Sequence, residues 1–233
     1  KIEVAAKRAG VEFRYGITIS DLKMEGGMWK IGVEDRGSRV EKEMFDKILV
    51  TGPSWVLAKM VPELPDSYRE KLLSYKGLGA VNLVMALKKQ FLTDGTYWLN
   101  INENGFPFLA VVEHTNFADR RRYGGDHLVY VGNYLPREHK YFELTEKELI
   151  EIFLPFLRKV NDEFRKNLIR KAWVFKAPFA QPVVTVNYSR QILPFETPLP
   201  GLYWASIQQV YPWDRGTNYA VEMGERVAQM ISD

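Results

Sequence analysis

The run Leu202-Tyr203-Trp204-Ala205, followed by a polar loop containing Pro212 and then by Thr217-Asn218-Tyr219-Ala220-Val221-Glu222-Met223-Gly224-Glu225-Arg226-Val227 and on to Ile231, decides how this chain is read. Its first four residues are too few for a helix and rich in aromatics, which predicts a buried strand. From Asn218 the apolar residues Ala220, Val221, Met223, Val227, Met230 and Ile231 recur at helical spacing, with Asp214 and Thr217 near the start. The unit is strand, loop, helix. Amide N–H groups at such a helix start are unpaired and carry the positive end of the peptide dipoles, so they suit an anionic or electron-accepting group. A cleft is expected beside Thr217 and Asn218.

Toward the N-terminus, Lys1 to Ala9 reads as the end of a helix stopped at Gly10. Val11–Tyr15, Ile17–Leu22, Met28–Val33 and Phe45–Val50 read as strands, the last closing in Thr51-Gly52-Pro53. Helical signals follow at Trp55–Val61 and Ser67–Ser74. Gly77-Leu78-Gly79 is similar to a phosphate loop but lacks its third glycine and leads into Leu83-Val84-Met85-Ala86-Leu87, a strand where a helix is required, so it is rejected as one. Further strands are expected at Tyr97–Ile101, Phe106–His114, His127–Tyr134 and Ile169–Phe175, and irregular chain at Ala177–Pro182. Thr145-Glu146-Lys147-Glu148 is a capping box opening an amphipathic helix that Pro155 should bend. Tyr188–Leu193 suggests a short helix.

Composition sets the outer limits. With 233 residues, 46% of them hydrophobic, the chain can bury one large core or two small ones. A net charge of +3, from 32 basic and 29 acidic residues, does not argue for nucleic acid. The absence of cysteine excludes disulfides, thiolate metal ligands and a cysteine nucleophile, and three widely spaced histidines argue against a zinc or other metal site. No apolar run is long enough to span a bilayer. A cytoplasmic location is expected, with peripheral membrane association left open.

Leu202-Tyr203-Trp204-Ala205, the loop, and then Ala220-Val221-Glu222-x-Gly224-Glu225-Arg226 resemble the C-terminal flavin-binding signature of flavin-containing amine oxidases. That superfamily also includes protoporphyrinogen oxidases and carotenoid desaturases. The resemblance implies an α/β (α+β) fold, a partial FAD-binding domain made of residues 1–55 and 199–233, and an inserted substrate-binding domain of mixed sheet plus helices at 56–198. It implies FAD as cofactor, with Ile19 at the adenine end, Thr51 and Gly52 close to the cofactor, Ser206 and Gln208 near the ribityl chain, and Trp213 and the Gly216-Thr217-Asn218-Tyr219 backbone facing the isoalloxazine. The reaction it implies is hydride transfer from a small, largely apolar substrate to flavin. The N-terminal dinucleotide-binding half is expected to lie outside this chain, as the missing partner of the same protein, so the chain alone is expected to be inactive.

Some positions depart from the amine-oxidase pattern. Asn82 stands where those enzymes carry a lysine reaching toward the flavin, Gly216 falls on one of their paired aromatics, and Gln208 replaces an acidic residue. Tyr219 stands where glycine is usual. These departures count against an amine oxidase in the strict sense. Two related readings stay open: a flavoenzyme similar to UDP-galactopyranose mutase, and a non-enzymatic lipid-binding protein of the Rab-escort and dissociation-inhibitor type.

The catalytic residue is unknown from sequence, with His114 and Asn82 as candidates. His114 is either a proton shuttle or a hydrogen-bonded strand end; alternation puts neighbouring Glu113 on the opposite face. Arg121 and Arg122, within Arg120-Arg121-Arg122-Tyr123, are candidates to grip a substrate carboxylate or phosphate, against the alternative of solvated loop charge.

Overall fold

The computed structural model describes residues 1–35 and 38–232. Among them the elements run α1 (Ile2–Arg8), β1 (Ile17–Glu25), β2 (Met28–Asp35), β3 (Ser38–Phe45), β4 (Ile48–Val50), α2 (Ser54–Met60), α3 (Asp66–Ser74), β5 (Gly77–Leu87), β6 (Trp98–Asn100), β7 (Ala110–Glu113), β8 (His127–Leu135), α4 (Glu146–Val160), β9 (Ile169–Pro182), β10 (Leu202–Trp204) and α5 (Thr217–Ser232). They form two compact units, Lys1–Tyr75 with Val184–Asp233, and Lys76–Val183. None of these helices is long and apolar enough to cross a membrane.

In the first unit β1, β2 and β3 make an antiparallel meander. Gly26 and Gly27, both at positive φ, supply the two left-handed residues that a tight hairpin between Glu25 and Met28 demands. β4 pairs in parallel with β10, Ile48 opposite Leu202 and Val50 opposite Trp204. The core joins Leu22 and Trp29 of the meander to Leu57, Ala58 and Val61 of α2 and its C-terminal end, Leu72 of α3, and Leu193, Leu202 and Trp204 from the returning chain. Sequence drew the inserted part at 56–198; packing puts α2, α3 and residues 184–198 with the first unit because their apolar faces fill this core. Two indoles tie it down: Trp29 Nε1 donates to the Pro200 carbonyl at 2.9 Å and Trp204 Nε1 to the Gly52 carbonyl at 2.9 Å.

Val11–Tyr15, expected as a strand, is not one. The expected strand Phe45–Val50 divides into the last residue of β3 and the whole of β4, because β3 pairs with β2 and β4 with β10. The stripe on α5 is helical as expected, yet only Val227 is fully buried and Val221 is 46% exposed.

The second unit is a five-stranded antiparallel sheet in the order β6-β7-β8-β5-β9, with α4 on one face. Alternation assigns the faces. Val81, Leu83, Met85, Val111, Val129 and Val131 point to the side where Leu149, Phe153 and Leu157 of α4 pack. The predicted capping box is present, Thr145 and Glu148 satisfying each other's backbone N–H. α4 continues through Pro155, which is exposed, so the carbonyl it leaves unbonded lies on the outward side. β7 is shorter than expected because Phe106 and Phe108 leave the ladder to pack on Phe156 and Phe153, each pair at 5.2 Å between ring centres. β9 runs on through Ala177–Pro182 because β5 gives it a partner, Gly77 opposite Pro182 and Leu78 opposite Gln181. Pro178 falls in the register shift on this edge strand.

Candidate functional site

In the second unit the sheet face opposite α4 carries a cavity of about 410 Å³. Its floor is Ala80 and Asn82 of β5 with Tyr130, Gly132 and Tyr134 of β8, and its wall is Trp98 and Asn100 of β6 with His114 just after β7. Both catalytic candidates from sequence therefore lie in one cavity. His114 Nε2 is 2.7 Å from the Tyr123 hydroxyl, and its ring sits edge-on to Tyr130 at 5.8 Å. That bond fixes the imidazole, and Nδ1 has no partner among the described residues. Burial raises the Tyr130 phenol above its ordinary pKa, helped by the nearby Tyr123 and Tyr97. Tyr130, Asn100 and Asn133 were missed from sequence, and Tyr123 was named there only beside the arginines. The alternation of Tyr130, Gly132 and Tyr134 marks one face, but nothing local says that Asn82 lies beside it.

Glu113 points the other way, as alternation requires. It is wholly buried, and one carboxylate oxygen accepts the N–H groups of Phe91, at 3.0 Å, and of Leu92. The other oxygen lies 3.3 Å from His127 Nδ1, within ion-pair distance yet outside hydrogen-bond geometry. Both groups are pushed toward their neutral forms, Glu113 upward by burial and His127 downward by burial and then by the Arg120 charge, whose guanidinium is 3.3 Å from Nε2. Glu113 anchors the turn at Phe91-Leu92 and does not face the cavity.

Arg121 and Arg122 lie in the short helical turn Arg120–Tyr123, capped by Asp119. Arg121 is held by that same Asp119, Nε to Oδ2 at 2.7 Å, while its side chain remains 88% exposed. Neither arginine lines the cavity.

In the first unit the parallel pair β4 and β10 ends where Thr51, Gly52 and Ser206 stand, with Gln208 beside them. Ser206 and Gln208 are buried and engaged with protein. Gln208 Oε1 accepts the Ser54 N–H at 2.7 Å, its Nε2 donates to Ser54 Oγ at 3.2 Å, and its carbonyl accepts the Tyr188 hydroxyl at 2.7 Å. Ser206 N donates to Gln209 Oε1 at 2.8 Å in a reciprocal cap. Thr51 is exposed and Gly52 half-buried. At the start of α5, Trp213 and Tyr219 lie parallel within 3° at 6.4 Å, and Gly216 sits so near Asn218 that a Cβ would come 2.7 Å from its Oδ1. Thr217 and Asn218 face solvent, and the concavity here, lined by Tyr211, Trp213, Tyr219 and Arg226, has only about 110 Å³. Thr217 and Asn218, beside which a cleft was expected, line neither this concavity nor the cavity of the second unit. Ile19 stands apart, on the meander's open face with Ile17, Ile31, Val33 and Phe45.

The family model described as flavin-containing amine oxidoreductase matches residues 2–232, across both units. The chain belongs to this family. Two of the solved structures that match the chain illustrate its fold. One, from Exiguobacterium sp. 255-15, carries a provisional assignment as protoporphyrinogen oxidase; it is 16% identical with a TM-score of 0.71, over 89% of this chain and 46% of its own. The other, an oxidoreductase from Methanosarcina mazei, is 17% identical with a TM-score of 0.63, over 88% of this chain and 47% of its own. The chain thus spans somewhat less than half the length of each. Comparison with curated proteins returns no match.

Membership in the flavin-containing amine oxidoreductases implies a flavin, and the first unit meets that requirement on one side only. Its parallel strand pair, the exposed start of α5, the side-chain-free Gly216 and the flat Trp213–Tyr219 pair suit one face of a planar ring. A concavity of about 110 Å³ is below the roughly 300–1,000 Å³ of an enclosing ligand pocket. These residues would line a flavin and do not wrap it.

Proposed function

We propose that the chain is the substrate-binding and ring-side portion of a flavin-dependent oxidoreductase acting on a small, largely apolar molecule. The observation that carries this is the family match over residues 2–232, which includes both the α5 signature and the sheet bearing the cavity. Bound FAD would supply the redox chemistry by accepting a hydride. Residues 213–219 orient the ring in this reading, with Thr51 and Gly52 lining its edge, while Ser206 and Gln208 act indirectly by holding the β4–α2 and β10 turns in place. The apolar cavity of the second unit binds the substrate and keeps water from it. His114, steadied by Tyr123, holds or passes the proton that leaves when the substrate is oxidised.

The rest of the flavin enclosure, including the pyrophosphate loop of a dinucleotide-binding half, is assigned in this proposal to a longer parent chain. The test is spectroscopic. The isolated chain is expected to purify colourless, and the full-length protein to carry about one flavin that candidate substrates bleach under anaerobic conditions. A full-length protein devoid of flavin would overturn the reading and favour a lipid-binding role.

A further inference from the structure

Between β7 and β8 the chain makes a turn that carries Phe117 on its outside, 79% exposed. The turn is firmly held. Phe117 and Ala118 donate their N–H groups to the His114 carbonyl at 3.1 and 2.9 Å. The Asn116 amide donates to the carbonyls of Leu92 at 2.9 Å and Thr96 at 2.8 Å, and its oxygen accepts from Gln90 Nε2 at 2.7 Å. The protrusion of Phe117 is therefore a fixed feature of the fold. A single exposed ring needs no explanation, but a joined set does. The Phe117 ring lies 5.3 Å from that of Tyr97, and Tyr97 lies 6.5 Å from Trp98, themselves 40% and 56% exposed.

Three residues on stand Arg120, Arg121 and Arg122, all exposed. The acid beside them in the turn is Asp119. Its carboxyl is held below the usual range, first by hydrogen bonds from Arg121 and then by the charges of Arg122 and Arg120, so three cations share one acid. Nearby carboxylates are committed elsewhere: Glu113 is wholly buried, and Asp126 binds Arg170 at 2.7 Å. The turn thus sets a net positive charge beside bare aromatic surface.

That combination matches an anionic lipid surface. Aromatic side chains settle at the headgroup level of a bilayer, and a guanidinium pairs with phosphate oxygens through its fork of donors. Each cation near an anionic leaflet and each buried ring adds a modest increment, enough together for reversible docking. A nucleic acid is matched less well, because the three cations occupy a single turn rather than a groove that tracks a backbone.

We infer that residues 116–123, with Tyr97 and Trp98, dock the second unit on an anionic bilayer surface, Phe117 entering the headgroup boundary and the arginines pairing with lipid phosphates. The docking stands on this patch alone and holds whatever cofactor the protein carries. Tyr97 and Trp98 also line the cavity. On the reading of that cavity as the substrate site, an apolar substrate dissolved in the bilayer would lie close to it.

The test sediments the 233-residue chain with vesicles of phosphatidylcholine alone and of phosphatidylcholine containing a third phosphatidylglycerol. The expected result is binding to the anionic vesicles that weakens as salt is raised, with little binding to the neutral ones. Phe117→Ser and Arg122→Glu should each weaken it about tenfold or more. Lys147→Glu, the same charge change at the start of α4 on the other face of the sheet, should leave it within about twofold. All three side chains are exposed, so the urea midpoints of these variants should match that of the native chain, and either patch variant decides the matter if the other does not fold. Equal binding to the two kinds of vesicle, undiminished binding by a folded patch variant, or an equal loss in Lys147→Glu would overturn the proposal. Preference for single-stranded DNA over the anionic vesicles at equal ionic strength would overturn it in favour of nucleic acid. Self-association in vesicle-free solution that Phe117→Ser abolishes would overturn it in favour of a second copy of the chain.

Discussion

Gln208 and Ser54 are joined twice, the glutamine oxygen accepting the serine N–H at 2.7 Å and the glutamine nitrogen donating to the serine hydroxyl at 3.2 Å. Both residues are about 1% exposed. The side chain therefore closes the first turn of α2 from the loop that follows β10. Gln208→Leu leaves the Ser54 N–H and hydroxyl buried without partners, and a loss of about 2–3 kcal/mol is expected in urea unfolding of the chain. A loss below about 0.5 kcal/mol would show that water replaces the amide.

Gly201 has φ of +74°, and a Cβ there would meet the Asp46 carbonyl oxygen at 2.7 Å. Gly201→Ala thus strains the backbone and pushes into a neighbouring peptide just before β10. A destabilisation of about 1–3 kcal/mol is expected by thermal unfolding. An unchanged midpoint would mean that the two strands shift apart freely.

Glu113 and His127 make opposite demands on pH. Burial raises the carboxyl, so its contribution to stability is complete below the unfolded value of about 4.3 and fades as pH rises through the folded value. Burial and Arg120 lower the imidazole, so its contribution is complete above about 6.5 and fades as pH falls through its folded value. Glu113→Gln keeps an acceptor for Phe91 and Leu92 and removes the carboxyl titration. Its urea midpoint relative to the native chain should therefore improve as pH rises above about 4.3 and level off once the folded value is passed. A difference constant across that range would contradict the assignment.

The Tyr123 hydroxyl is the partner of His114 within hydrogen-bond distance. In the full-length flavoprotein, His114→Ala is expected to slow substrate-dependent flavin reduction about a hundredfold. Tyr123→Phe should slow it less, because it frees the imidazole without removing it. Unfolding midpoints should stay within about 0.5 kcal/mol for Tyr123→Phe, since the pair is exposed. An unchanged reduction rate in Tyr123→Phe would reduce Tyr123 to a packing role.

Sequence alone determined the elements whose signals are local. The capping box at Thr145 and Glu148, the apolar run Leu83 to Leu87, the rejection of Gly77–Gly79 as a phosphate loop and the strand-loop-helix signature at Leu202–Arg226 all follow from neighbours a few residues apart. Tertiary structure alone decided that Asn82 and His114 share a cavity, that Gln208 spends both amide atoms on Ser54, and that β9 runs through Ala177–Pro182. Each depends on which strand lies beside which, and in what register, and that pairing is set by burial of whole faces between segments far apart in the chain, which no run of consecutive residues encodes.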